Sequence, residues 1–141
     1  MSKTTTKSLY RYSGLILIIS SIWAISFPIS IGIYSAIFNG IFGFGVFFIW
    51  SQSNFYKFSE KLEKYHPNIF RKNTLWYGPF KNKRLYSLSL LTESSTYRKL
   101  QPEELQEAYR ISMLSYKLVI FHFLMIIVFA VGLIFWNYYI E

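Results

Sequence analysis

The side chains of this 141-residue sequence that bear most directly on acid–base or metal chemistry include His66, His122, Glu60, Glu63, Glu103, Glu104 and Glu107. Their spacing does not assemble them. The two histidines stand far apart with no Asp or paired Glu beside either, so no metal-ligand pattern forms. None of these five glutamates is paired with a His or Ser at a spacing useful for general acid–base or nucleophilic work, and all five fall on expected solvated helix faces. There is no glycine-rich phosphate loop, and with no cysteine there is no disulfide framework, thiolate nucleophile or Cys-based metal site. The expectation is a chain without catalytic, cofactor or metal residues.

His122 differs from the rest because it lies in an apolar run. A titratable residue inside a membrane span is a candidate functional group by default. Near one end of a span, however, a neutral imidazole bonded to a neighbouring helix is also an ordinary structural element. His66 precedes Pro67 and reads as a turn residue.

The elements that must position these groups follow from charge. No Asp, Glu, Lys or Arg occurs in the 45 residues between Arg11 and Lys57, or in the 23 between Lys117 and Glu141. A bilayer core about 30 Å thick takes roughly 20 apolar residues per helix, so these runs are membrane spans. As one helix, 45 residues would extend about 67 Å at 1.5 Å per residue and must fold back. Pro28 is the only proline in the run and disfavours helix at Phe27, which predicts a hairpin with spans at about 12–27 and 30–50. The third span is 118–140. The fold class expected is an all-α membrane protein with three transmembrane helices.

Lys3, Lys7 and Arg11 precede the first span, and the other twelve basic residues lie between Lys57 and Lys117. Three spans put both basic segments on one face, as the positive-inside rule requires, with residues 1–11 and 51–117 cytoplasmic and the C-terminus outside. The formal charge of +8 therefore speaks for topology and anionic lipid rather than for nucleic acid. The basic start, apolar core and Ala24-Ile25-Ser26 also have the form of a signal peptide; the expectation is a retained span.

Helices two and three are expected to continue into the 51–117 segment as an antiparallel stalk. Phe55, Phe58, Leu62 and Tyr65 form the apolar stripe of one, and Leu105, Ala108, Ile111, Leu114 and Leu118 that of the other, which begins at Pro102 with Glu103 and Glu104 at its positive end. Residues 66–101 would cap the stalk. There Trp76, Tyr77 and Phe80 surround the Gly78-Pro79 turn, and a short helix from Asn82 carries Leu85, Leu88 and Leu91 and ends at Ser94-Ser95-Thr96. That helix either packs on the stalk or lies on the membrane, with Lys81, Lys83 and Arg84 at lipid headgroups.

In the second span Gly32, Ala36 and Gly40 recur every four residues, with Gly43 and Asn39 beside them. Such a small-residue ridge lets helix backbones touch, within the hairpin or against a partner.

The segments LEKYHPNIF (62–70), GPFKNKRL (78–85) and YRKLQPEEL (97–105), followed by Arg110 and a last span, resemble the universal stress protein B family of small bacterial membrane proteins over roughly residues 50–140. The chain departs from that family in having a hairpin rather than one span before the loop, and Gln101 where an Asp N-cap is expected. The resemblance implies a bacterial inner-membrane location and a link to stress, and brings no chemistry. The leading functional expectation is an accessory or assembly subunit docking on a larger membrane complex or forming a homo-oligomer. A stand-alone stress-response protein binding anionic lipid is the alternative, and a holin-like pore former the third.

Overall fold

The computed structural model describes residues 3–26, 33–76, 83–85 and 89–140. Helix α1 spans Lys3–Ser26. The second long helical stretch begins with α2 (Tyr34–Phe38), widens into a π-helical segment over Asn39–Gly45, and continues as α3 (Val46–Tyr65). Next come α4 (Pro67–Lys72), strands β1 (Thr74–Trp76) and β2 (Lys83–Leu85), the short helices α5 (Ser89–Thr92) and α6 (Ser94–Tyr97), and α7 (Glu103–Ile140). Among the described residues, apart from one antiparallel strand pair with Thr74 opposite Leu85 and Trp76 opposite Lys83, the fold is all-α.

Three stretches among the described residues are long and apolar enough to cross a membrane: Lys7–Ser26, Tyr34–Tyr65 and Glu103–Phe135. The outward side chains agree, because Ile18, Ile22, Ile25, Ile49, Val128 and Ile134 are all well exposed and would be costly to leave in water. The chain is a multi-pass membrane protein.

Residues divide into two compact units, 1–49 with 117–141, and 50–116. In the first, α1 and the second helical stretch run antiparallel: Tyr12 packs edge-on against Phe47 (5.8 Å), while Trp23 meets Phe38 (5.9 Å). The expected turn at Pro28, and Gly32 of the ridge, lie outside the described residues. Where a straight α-helix was expected across the second span, the chain instead forms a π turn. Gly40, Gly43 and Gly45 explain why it can: they favour regular helix least and leave room for a wide turn.

The second unit has its own core of Phe58, Leu62, Phe70, Leu90, Tyr97, Leu100, Leu105 and Tyr109, with Phe55, Ile69, Ala108, Met113 and Tyr116 packed around it. Phe58, Tyr97 and Tyr109 form an aromatic triangle with centroids 5.2 to 5.7 Å apart. The Tyr97 hydroxyl accepts from Asn73 Nδ2 (2.9 Å), and the Tyr109 hydroxyl donates to the Leu90 carbonyl (3.1 Å). Burial pushes the Tyr97 phenol above its ordinary value. Lys61 pairs with Glu104 on the surface, where the Tyr65 hydroxyl also donates to Glu104. His66 sits between α3 and α4, and its Nε2 donates to the Gln101 carbonyl (2.6 Å).

Two expectations for this unit are corrected. Ile111 and Leu114 are only partly buried and stand apart from the core; Tyr109, Ser112 and Ser115 take the inward face of α7. The serines suit that face because they are small and satisfy themselves: Ser112 Oγ donates to the Asn54 carbonyl and Ser115 Oγ to the Ser112 carbonyl, each at 2.9 Å. The short helix foreseen from Asn82 is also displaced. Residues Lys83–Leu85 pair as a strand with Thr74–Trp76, the next described helix is Ser89–Thr92, and Ser94–Tyr97 forms a further helical turn. Tyr77, Gly78, Pro79, Phe80, Lys81, Asn82 and Leu88 lie outside the described residues.

Candidate functional site: a polar centre in the helix bundle

Three helices of the first unit each deliver one polar side chain to a common point. Ser13 comes from α1, Asn39 from the first residue of the π segment, and His122 from α7; Asn39 and His122 are fully buried and Ser13 nearly so. In hydrocarbon such groups must find partners inside the bundle, and these find one another.

The network fixes its own proton positions. Asn39 Nδ2 donates to the His122 backbone carbonyl (3.3 Å), since a carbonyl can only accept. The amide oxygen is thereby turned to His122 Nδ1, 2.7 Å away, so Nδ1 carries the ring proton. Nε2 is then the free acceptor, and the Ser13 hydroxyl donates to it at 2.9 Å. The chain of bonds runs Ser13 to His122 to Asn39, with the imidazole held at both nitrogens.

Apolar contacts hold the ring from its sides. Phe47 stacks on it at 5.0 Å and 19°, and Phe121 meets it edge-on at 5.7 Å. Gly43 closes the centre: a Cβ there would come within 2.6 Å of Asn39 Oδ1 and 2.9 Å of His122 Cε1. Only a residue without a side chain fits this point. Beside Ser13 and Gly43 in the chain, the Tyr12 hydroxyl donates to the Phe42 carbonyl (3.0 Å), a backbone acceptor within the π segment.

The described residues of the small-residue ridge face the chain's own helices. Ala36 and Gly43 are buried, and a Cβ on Gly40 would lie 3.6 Å from Ile126 of α7. Of the other residues marked from sequence, Phe58, Leu62 and Leu105 are core and Phe55 flanks it. The side chains of Lys83 and Arg84 are outside the description. Sequence reasoning singled out His122 and Asn39 separately but not their pairing, and it missed Ser13. Asn39 beginning a segment with three glycines was a usable sign of an irregular turn. Ser13 carried none, because serine is common in apolar helices.

Chemically, the centre offers one basic lone pair, on Nε2, already facing a hydroxyl. No group of three or more His, Cys, Asp or Glu residues suited to a metal ion occurs among the described residues. No family model, curated protein or solved structure matches this chain.

Proposed function

We propose that this chain is a bacterial inner-membrane accessory or assembly subunit. It works by binding rather than catalysis, with its N-terminus and residues 51–117 cytoplasmic and its C-terminus outside. The observation that carries this reading is the second unit. Nearly half of the chain folds around a core of its own, built on Phe58, Leu62, Tyr97 and Tyr109, and a bare membrane anchor has no need of one. The unit exposes Arg71 and Lys72 at the end of α4 and Arg98 and Lys99 just after α6, basic groups suited to an acidic protein surface. The ridge offers no outward support, since Gly43 and Gly40 face the chain's own helices; docking is assigned to the basic head.

Mild detergent extraction of the tagged chain from its native membranes tests the reading. The expected result is a stoichiometric partner that Arg71→Glu with Arg98→Glu releases, while the folded chain remains in the membrane. Elution of the wild type alone, as a single species, overturns it in favour of a stand-alone membrane protein.

A further inference from the structure

Lys7 on α1 and Lys117 on α7 are both exposed, and their own unit offers them no countercharge: no Asp or Glu occurs in residues 1–49 or 117–140. In the second unit a lysine does find one, as Lys61 pairs with Glu104. Helices α1 and α7 are neighbours, because the Ser13 hydroxyl bonds to His122. They run parallel, since each is antiparallel to the second helical stretch. Tyr12 meets Phe47 and Trp23 meets Phe38 on one side; Gly40 lies against Ile126 and Phe44 against Phe123 on the other. Lys7 precedes Ser13 by six residues and Lys117 precedes His122 by five. At 1.5 Å per residue those offsets are about 9 and about 7.5 Å, so the two lysines leave their helices at nearly one level.

Helical phase puts them on one side as well. Tyr12 and Trp23 mark the face of α1 turned to the second stretch, and Phe123 and Ile126 mark that of α7. At about 100° per residue, Lys7, Gly14 and Ser21 fall on the opposite face of α1, and Lys117, Phe121 and Val128 on the opposite face of α7. These two faces flank a groove. Its α1 side is open, because a Cβ on Gly14 would meet nothing within 4 Å. Its α7 side is apolar, with Phe121 and Val128 both well exposed. From the level of Lys117 to that of Val128 is about 16 Å, close to the depth of hydrocarbon in one leaflet.

We propose that this groove binds one anionic glycerophospholipid, with its phosphate between Lys7 and Lys117 and an acyl chain laid along Gly14, Phe121 and Val128. The phosphate supplies the countercharge that the unit lacks, through charge-assisted hydrogen bonds from two ammonium groups. A zwitterionic lipid brings its own cation to the same point, which the two lysines repel. The site is separate from the basic head of the second unit and stands whether or not that head docks on a partner.

The test uses the full chain in nanodiscs holding equal amounts of phosphatidylglycerol and phosphatidylcholine, with the lipid retained on release counted by native mass spectrometry. The wild type is expected to keep one phosphatidylglycerol in preference to phosphatidylcholine. Lys7→Gln with Lys117→Gln should lower that retention roughly thirtyfold, the effect of two such contacts. Lys57→Gln with Lys64→Gln, an equal loss of charge outside the groove, should leave it unchanged. Gly14→Leu tests the groove itself: its side chain enters open space, so the fold stands, but it occupies the place of the acyl chain. Retention should then fall several-fold with every charge in place. Retention unmoved by the Lys7 and Lys117 changes, or lost equally with Lys57 and Lys64, overturns the proposal. So does retention unmoved by Gly14→Leu, which would be attraction of lipid to charge without a groove.

Discussion

Gly43 of the π segment lies directly beneath the imidazole of His122, with no room between them for a methyl group. Gly43→Ala must therefore displace either the ring or the Asn39 amide, and both are pinned by hydrogen bonds. A loss of about 1–3 kcal/mol is expected from the overpacking. Gly40→Ala, whose new Cβ would rest 3.6 Å from Ile126, is expected to be neutral or stabilising by up to about 1 kcal/mol, since alanine favours helix over glycine. Thermal unfolding of the two variants in one detergent separates them. Equal melting temperatures would mean that the centre is not closed at Gly43.

His122→Ala should remove both bonds of the ring, leaving the Ser13 hydroxyl and the Asn39 amide oxygen without their partner in hydrocarbon while Asn39 Nδ2 keeps the backbone carbonyl. Interhelical hydrogen bonds in membranes contribute roughly 0.6 kcal/mol each, up to about 1.7, so the loss of two should cost about 1–3 kcal/mol. The additional variant Ser13→Ala, made in the His122→Ala background, should then cost almost nothing. A double-mutant cycle showing full additivity would contradict the shared network.

Leu62→Asp should unfold the second unit, because it buries a charge at a position with 0% exposure and no basic partner in its core. Lys61→Ala removes only a surface pair with Glu104 and should cost less than about 1 kcal/mol. Limited proteolysis of residues 50–116 reads both. Similar resistance in the two variants would show that the Phe58–Leu62–Leu105 face is not a core.

Alkali should loosen the same unit. Burial raises the Tyr97 phenol, so its contribution to stability is fully present below the unfolded value of about 10 and is lost as pH rises through the higher folded value. Tyr97→Phe deletes this dependence, at the cost of the Asn73 bond. The variant should be less stable at pH 7 yet show a flatter decline above pH 10. Parallel declines in a pH series of denaturation curves would remove Tyr97 as the cause.

Topology is open to single-cysteine probes, since the chain has no native cysteine. An impermeant thiol reagent applied to intact cells should label Glu141→Cys and spare Ser2→Cys and Ser53→Cys, although Ser53 is exposed on α3. Labelling of Ser53→Cys would place the folded unit outside and refute the cytoplasmic head.

How much of this was legible in the sequence depended on charge and on phase. The uncharged runs mark the spans because burying Lys or Glu in lipid is prohibitive whatever the packing. Phe58, Leu62 and Leu105 were legible because polar residues flank them in the solvated segments. Toward the membrane that contrast fades: α7 is apolar all round, so periodicity could not choose between Ile111 or Leu114 and the serines that face inward. At residues 83–85 local pattern favoured helix, but pairing with Thr74–Trp76 is a contact across the chain that no local window contains. The link between Ser13 and His122, 109 positions apart, is of the same kind.

The buried positions along the second helical stretch include Ser35, Asn39, Gly43, Phe47 and Ser51, a strict four-residue interval. In an α-helix each such step rotates about 40° too far, so after four steps the face would have swung most of the way to the opposite side. The wide turn over Asn39–Gly45 winds that drift back, much as a leap day keeps a calendar in season. Shortening the turn by a single residue, such as Ile41, would therefore do more than remove one side chain. It would rotate everything after it by about 100° relative to everything before, exchanging residues that look at lipid for residues that look at His122. Chains of this kind should tolerate substitution on the outer face of the turn far better than any change in its length.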